Sequence, residues 1–216
     1  MSVSELIKKI IPSRIITHKL PIKKSILFTF DDGPHPEITP KIIDILDKNN
    51  AKGLFFVLGK RIQRAPELIQ YIIEKGHGIG NHSFTHRACN CLSAKEIVRD
   101  INRCKEDILS LCGFVTRIYR PPMGIVSPAL IYAAECCNHR IMRWSLDTGE
   151  SSYLKNAAPT ILADNFLKNV HESAIILSHD DKDTTPKYLE IVLPMLLQNG
   201  YDLQSGLHAS GWRNGS

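Results

Sequence analysis

The sequence has no apolar run long enough to cross a bilayer, so we do not expect a transmembrane segment. The first twenty residues interrupt their apolar pairs with Lys8 and Lys9, and they lack the continuous apolar core and small-residue cleavage site of a secretion signal. We therefore expect a cytoplasmic protein. The basic N-terminal residues leave open a peripheral contact with the inner face of the membrane.

Several other features are scarce. The six cysteines include no C-x-x-C pair, which disfavours a cysteine zinc site, and without a signal they are expected to be reduced thiols. The net charge is +5, but the Lys and Arg residues are scattered and aromatics are only 7%, so no nucleic-acid surface is predicted. The 216 residues contain no repeat or linker. We predict one α/β domain over residues 23–205, an N-terminal extension over 1–22 and an irregular tail over 206–216.

What the sequence does contain is a regular alternation of apolar runs and capped helical patterns, which predicts a mainly parallel sheet. The first segment, Ser4 to Ile11, has helical spacing and stops at Pro12. The seven predicted strands are Ser25–Phe30, Gly53–Gly59, His77–Asn81, Arg117–Arg120, Arg140–Leu146, Ala174–Ser178 and Tyr201–Gln204. Functional sites of such sheets lie at the carboxyl ends of the strands.

Five helix ends are marked by their residues. Thr39, Ser127 and Thr185 each precede a proline, which predicts an N-cap followed by proline at the first helical position. Ser93 begins a capping box, and Gly113 can end the same helix in the left-handed conformation.

Asp31 and Asp32 follow the first predicted strand directly and precede Gly33 and Pro34. Successive strand residues point to opposite faces, so the two carboxylates can share one environment only if the strand has ended. One interpretation is that the two acids have two separate functions. The other is that Asp-Asp-Gly-Pro is simply a turn sequence.

Ionisable residues also follow the other predicted strands. His82 and His86 are four residues apart, so on a helical or helix-like turn both rings can converge on one ion. With one carboxylate they would form a site for a divalent metal that has positions open for water, an arrangement typical of hydrolases. Further strand ends carry Arg120 to Gly124, Asp147 with Glu150, and His179 with Asp180.

Four of these motifs together resemble the polysaccharide deacetylase family, also called the NodB-homology family of carbohydrate esterases. They are Thr-Phe-Asp-Asp-Gly-Pro at 29–34, His-Ser-x-x-His at 82–86, Arg-Pro-Pro-x-Gly at 120–124 and Leu-Ser-His-Asp at 177–180. The resemblance covers about residues 25–205. It implies an irregular seven-stranded (β/α) barrel that removes N- or O-acetyl groups from sugars.

The resemblance also implies roles for single residues. Asp31 would be the general base, and Asp32, His82 and His86 would hold the metal. Zinc fits this donor set best, while cobalt, nickel, manganese and iron also suit it. Arg120 would keep the Asp31 carboxylate in place and in its charged form.

His179 would be the general acid, which requires an acidic partner to hold its proton. Family members commonly carry Asp-x-x-Asp-Trp in the partner region, whereas this chain has Asp147-Thr-Gly-Glu150-Ser151. Glu150 would replace the second aspartate, with one more methylene. The alternative is that Asp147 and Glu150 lie in a solvated acidic loop.

The remaining predicted residues would contact the substrate. Met123 would donate its backbone N–H to the oxyanion, beside Pro122 on the same loop, although the family often has tyrosine at the position of Met123. Because Ser151 replaces the usual tryptophan, Leu177 and Trp144 would form the apolar wall.

We therefore predict a metal-dependent enzyme that removes N-acetyl groups from an N-acetylated sugar, oligosaccharide or polysaccharide. Two alternatives stay open. One is a metal-dependent deacylase or deformylase of a non-acetyl or non-sugar amide. The other is a sugar-binding pseudoenzyme that keeps the barrel and has lost turnover.

Overall fold

The computed structural model describes residues 16–213, so the predicted helical segment Ser4–Ile11 lies outside the described part. Eight strands form one parallel sheet, in the order β1-β6-β5-β4-β3-β2-β8-β7. The strands are β1 (Ile16–Thr17), β2 (Leu27–Gly33), β3 (Gly53–Val57), β4 (Gly78–Asn81), β5 (Ile118–Tyr119), β6 (Arg140–Met142), β7 (Leu146–Asp147) and β8 (Ile175–His179).

Helices connect the strands on the outside of the sheet. They are α1 (Ile38–Lys48), α2 (Gly59–Ile62), α3 (Glu67–Glu74), α4 (Ala94–Cys112), α5 (Pro128–Cys136), α6 (Pro159–Asn169), α7 (Thr184–Gln198) and α8 (Ser205–Ala209), with 3₁₀ turns at Cys89–Cys91 and Pro122–Gly124. Within residues 16–213, no helix combines the length and apolar character needed to cross a membrane.

The sheet closes into an irregular barrel through the segment that was predicted as one strand, Arg140–Leu146. Its first part, β6, pairs with β5, and its last part, β7, pairs with β8 at the other end of the strand order. Only three residues separate β6 from β7, so the two ends of the sheet must lie close together. The predicted (β/α) barrel fold is confirmed.

The side chains of successive strand residues point alternately into the barrel and toward the outer helices. Leu27, Phe56 and Ile175 belong to a buried cluster inside the barrel, while Phe28 and Phe30 pack against the outer helices. The same alternation directs the side chains of later residues on β2 and β8 toward the site described below.

Besides the division of Arg140–Leu146 into two strands, two predictions of secondary structure are wrong and one strand was not predicted. Tyr201–Gln204 is no strand of the sheet, because it forms only a single parallel bridge between Ser25 and Asp202. The tail is not irregular from residue 206, since α8 places Leu207 in the barrel interior. The sequence analysis also missed β1, a two-residue strand that pairs with β6 and is too short to show a periodic pattern.

The predicted helix ends are correct where local hydrogen bonds decide them. Ser93 forms the predicted capping box and Ser127 caps α5, while Gly113 ends α4 with φ 72°. Thr39 and Thr185 are not N-caps, because α1 and α7 each begin one residue earlier than the threonine. The Thr39 hydroxyl donates instead to Asp180 Oδ2, far away in the sequence, and the Thr185 hydroxyl donates back to the His179 carbonyl before its helix.

The six cysteines form no disulfide, and Cys104 is fully buried in the core.

Candidate active site

Asp31 and Asp32 face the same side of the sheet because β2 contains a bulge. Asp31 lies opposite Phe56 and Gly33 opposite Val57, so Asp32 is the extra residue, with φ 74°. Strand β2 therefore runs three residues beyond its predicted end and stops at Gly33. His82 Nε2 lies 3.7 Å from Asp31 Oδ2 and 3.5 Å from Asp32 Oδ1, so both carboxylates meet one ring.

Gly33 is required by a buried acid on the neighbouring strand. A Cβ at residue 33 would overlap the carboxylate of Asp180, which is completely buried. Thr39 donates a hydrogen bond to Asp180 Oδ2 (2.6 Å), and the Asp180 backbone N–H donates to the Asp31 carbonyl (3.1 Å). Burial raises the pKa of Asp180 to about 7. The sequence analysis gave Asp180 no role, yet it joins β8 to the turn after Asp32.

Asp32, His82 and His86 form the predicted metal-ligand cluster. One donor atom from each lies within 4.8 Å of the other two, and His86 Nε2 is 3.1 Å from Asp32 Oδ1. His82 Nδ1 lies 2.8 Å from the Arg120 carbonyl, which can only accept, so Nδ1 carries a proton and Nε2 is the ring nitrogen that faces the cluster.

The donor set fits a divalent cation. Asp32 Oδ1 is buried and has no hydrogen-bond partner among residues 16–213, although two imidazole nitrogens face it. Burial alone would raise the pKa of Asp32, but the contacts with His82 and His86 lower it well below its usual range. An ionised carboxylate and two imidazoles whose Nε2 atoms converge on it are ligands that zinc and similar ions bind.

The two histidines are held by a braced loop rather than by a helical turn. Ser83 and His86 have positive φ values, 77° and 61°. Asp100 Oδ2 on α4 accepts from the backbone N–H groups of Phe84 (3.1 Å) and Thr85 (3.4 Å), and Ser83 Oγ accepts from His86 N–H (2.9 Å). Sequence reasoning missed Asp100, because its only signal is a polar position on an amphipathic helix.

Arg120 is fully buried and fixes the Asp31 carboxylate. Its Nη1 lies 2.8 Å from Asp31 Oδ1 and 2.6 Å from Thr29 Oγ1. Nε and Nη2 donate to the carbonyls of Met142 and Arg143, both at 3.2 Å. The guanidinium is therefore held on both edges, and the predicted contact with Asp31 is present.

His179 contacts Glu150 and does not contact Asp147. Its Nδ1 lies 3.1 Å from Glu150 Oε1, and the Glu150 side chain is completely buried, which excludes a solvated loop for this acid. Burial alone would lower the pKa of His179, but the Glu150 carboxylate raises it to about 9. Asp147 instead accepts from Gly149 N–H (2.8 Å) and so stabilises the turn. Ser151 Oγ lies 3.1 to 3.2 Å from the two His179 ring nitrogens, a contact that sequence reasoning missed.

The predicted substrate-contact residues lie on two loops and one strand. Met123, with φ 58°, is 65% exposed on the turn that follows Arg120, and Pro122 beside it is buried. The hydrogen bonds that close this turn are donated by the next two residues, not by Met123. Trp144 packs where a Cβ of Gly124 would lie, and Leu177 on β8 is 6% exposed.

Comparisons with known proteins find relatives in sequence and in fold. Residues 18–142, more than half of the chain, match the family model described as polysaccharide deacetylase. The peptidoglycan-N-acetylglucosamine deacetylase PgdA of Listeria monocytogenes is 33% identical over 202 residues, which are 92% of this chain and 42% of that protein. The chain thus spans about two fifths of the length of that relative.

Two solved structures are also similar. The Bc1960 peptidoglycan N-acetylglucosamine deacetylase, in complex with an N-hydroxybenzamide compound, has a TM-score of 0.85 at 29% identity, covering 97% of this chain and 99% of that one. BA3943 of Bacillus anthracis, described as a CE4 family pseudoenzyme, has a TM-score of 0.83 at 25% identity, covering 91% and 69%.

Proposed function

Since the chain belongs to the polysaccharide deacetylase family, we propose that it is a metal-dependent hydrolase that removes N-acetyl groups from an N-acetylated sugar polymer. The observation that carries this proposal is the bulge at Asp32, which places one carboxylate beside two histidines and leaves the other against Arg120. The names of the relatives favour the glycan of peptidoglycan as the polymer.

The proposed reaction breaks the amide C–N bond and adds water, giving acetate and an amine. Asp32, His82 and His86 would hold the cation, with zinc the best match. A cation bound there would polarise the acyl carbonyl and make water more acidic.

Asp31 would take the proton of the attacking water, while Arg120 holds its carboxylate in place. The Met123 N–H would donate to the developing oxyanion, a contribution of about 3 kcal/mol to the barrier for a donor of this kind. His179 is protonated at neutral pH because its pKa is about 9, so it can give a proton to the departing amine nitrogen. Leu177 and Trp144 would form the apolar wall for the acetyl methyl group.

The two alternatives differ from this proposal in observable ways. A sugar-binding pseudoenzyme would bind glycans without releasing acetate, and the similarity to BA3943 makes that comparison relevant. A deacylase of other amides would prefer a non-acetyl or non-sugar substrate, which the replacement of tryptophan by Ser151 could permit.

The test is acetate release from N-acetylated chitooligosaccharides, purified peptidoglycan glycan strands and non-sugar acetamides, each with defined divalent metals and with chelator. We expect release from at least one glycan, loss of activity with chelator, and recovery on adding zinc. Full activity in chelator-treated, metal-free protein would contradict the metal dependence. Release from non-sugar amides alone would contradict the substrate class.

A further inference from the structure

A chain of buried hydrogen bonds continues behind His179, beyond Glu150. Glu150 Oε1, which contacts His179 Nδ1, also accepts from Ser178 Oγ at 2.8 Å. Ser178 Oγ in turn accepts from the Tyr188 hydroxyl on α7, also at 2.8 Å. The path therefore runs from an outer helix to the ring of the proposed general acid.

The direction of this chain is fixed by the chemistry of its members. An ionised carboxylate can only accept, so the single Ser178 proton goes to Glu150, and Tyr188 must be the donor to Ser178. Thr148 also contacts Glu150, through Oε2, but its one proton can equally go to the Leu177 carbonyl at 2.9 Å. Ser178 and Tyr188 therefore support Glu150 through Oε1, the oxygen that contacts His179.

Because these groups are buried, the loss of one hydrogen-bond donor cannot be compensated by solvent. Ser178 and Tyr188 are both fully buried, and Glu150 is 4% exposed, so water cannot replace a missing donor. A carboxylate in such a place needs its acceptor capacity filled, and a lost donor leaves it free to take another orientation. Burial also raises the pKa of the Tyr188 hydroxyl well above its usual range, which keeps it a donor.

We propose that Ser178 and Tyr188 are positioning residues for His179, holding the Glu150 carboxylate against Nδ1 and so fixing the orientation of the ring. This role rests on the proposed deacetylation. Neither residue touches the reacting atoms. The Glu150 side chain is long enough for Oε1 to reach both the last residue of β8 and the one before it.

Other ionisable groups near this pair must stay unchanged in any test. Asp31 and Asp32 at the end of β2 face His179, as does His86 from the loop after β4. Asp147 lies near Glu150 on the same loop. The variants below alter none of these residues.

The test compares Tyr188→Phe and Ser178→Ala with two matched controls. Tyr188→Phe keeps the ring in the core and removes only the hydroxyl. The control Tyr119→Phe removes another buried hydroxyl, which lies 3.6 Å from Cys89 Sγ. Ser25→Ala is the second control, because Ser25 is fully buried and its Oγ has no hydrogen-bond partner among the described residues.

Two measurements are made on the metal-loaded protein. In acetate release, we expect kcat to fall about fivefold in Tyr188→Phe and about tenfold in Ser178→Ala, the size of one lost hydrogen bond, with KM and metal content unchanged. In ¹H–¹⁵N NMR of the histidine rings, which needs no substrate, we expect the His179 pKa to fall by about one unit in both variants, because a loosened Glu150 holds the proton less well.

The outcomes separate this inference from the proposed function. If the wild type releases acetate and both variants match the controls in kcat and in the His179 pKa, the positioning role is wrong and the proposed function stands. If no acetamide is hydrolysed but both variants lower the His179 pKa, the positioning role stands and the proposed reaction fails. A rise of the His179 pKa in the variants would also overturn the positioning role.

Discussion

Replacement of Glu150 by glutamine changes the charge beside His179 while keeping the size of the side chain. The Glu150 carboxylate raises the pKa of His179 from its ordinary value of 6.5 to about 9, against the effect of burial. That difference of about 2.5 units corresponds to about 300-fold in proton affinity, or about 3 kcal/mol. In Glu150→Gln the largest raising contribution is lost, while burial still lowers the pKa of His179 and the weaker attraction of Asp31 and Asp32 still raises it, so that pKa should fall well below 9.

Two measurements follow from this magnitude. The rate of acetate release in the wild type should decline at alkaline pH with an apparent pKa near 9, and in Glu150→Gln the decline should move to distinctly lower pH. The variant should therefore retain a smaller fraction of the wild-type activity at pH 8 than at pH 6.

The free energy of unfolding should also depend on pH through the ionisation of His179. A histidine whose pKa is raised by folding stabilises the folded protein. This contribution to the free energy of unfolding is complete below the unfolded pKa of 6.5 and is lost as the pH rises through 9. The excess in free energy of unfolding of the wild type over Glu150→Gln should thus shrink by about 3 kcal/mol between pH 6.5 and 9. Asp147→Asn is the control, since Asp147 stabilises a turn without contacting His179. An unchanged alkaline limb in Glu150→Gln would refute the pairing.

Three further substitutions test the supports of the site. Arg120→Met leaves Asp31 buried without its cation, so the free energy of unfolding measured in urea should fall by about 3–5 kcal/mol; a loss below 1 kcal/mol would contradict the buried pair. Gly33→Ala forces a Cβ against the Asp180 carboxylate and should lower stability by about 1–3 kcal/mol, and an unchanged melting temperature would show that the space exists. Asp100→Asn weakens the acceptor for the histidine loop, so metal affinity in a competition titration should drop about tenfold, with equal affinity counting against the brace.

The sequence predicted the fold class because its signals were local and repeated. Ser93 and Ser127 cap their helices with hydrogen bonds to residues three positions away, and such contacts can be read from spacing alone. Thr39 and Thr185 carry the same signal, but Thr39 bonds across the molecule to Asp180 and Thr185 bonds back to His179 at the end of β8, so neither caps its helix. The two-residue strand β1 has no periodicity to detect.

The candidate site was predictable in its residue types and not in its geometry. The adjacent acids Asp31 and Asp32 raised the question of how two neighbours on a strand face one site, and spacing alone offered only a turn. The structure gives a bulge, which depends on the register between β2 and β3 and therefore on residues far apart in sequence. Likewise, Ser178 and Tyr188 have no motif of their own, because the role inferred for them arises only when α7 packs on β8.

The central claim is that Asp31 and Asp32 have separate functions, one as the base and one as a metal ligand. Elemental analysis and acetate release measured on the same preparations of Asp31→Asn and Asp32→Ala test it most directly. We expect Asp31→Asn to retain about one divalent metal per chain and to lose at least about 100-fold in kcat, and Asp32→Ala to lose both metal and activity. Full metal content in Asp32→Ala, or wild-type turnover in Asp31→Asn, would contradict the assignment.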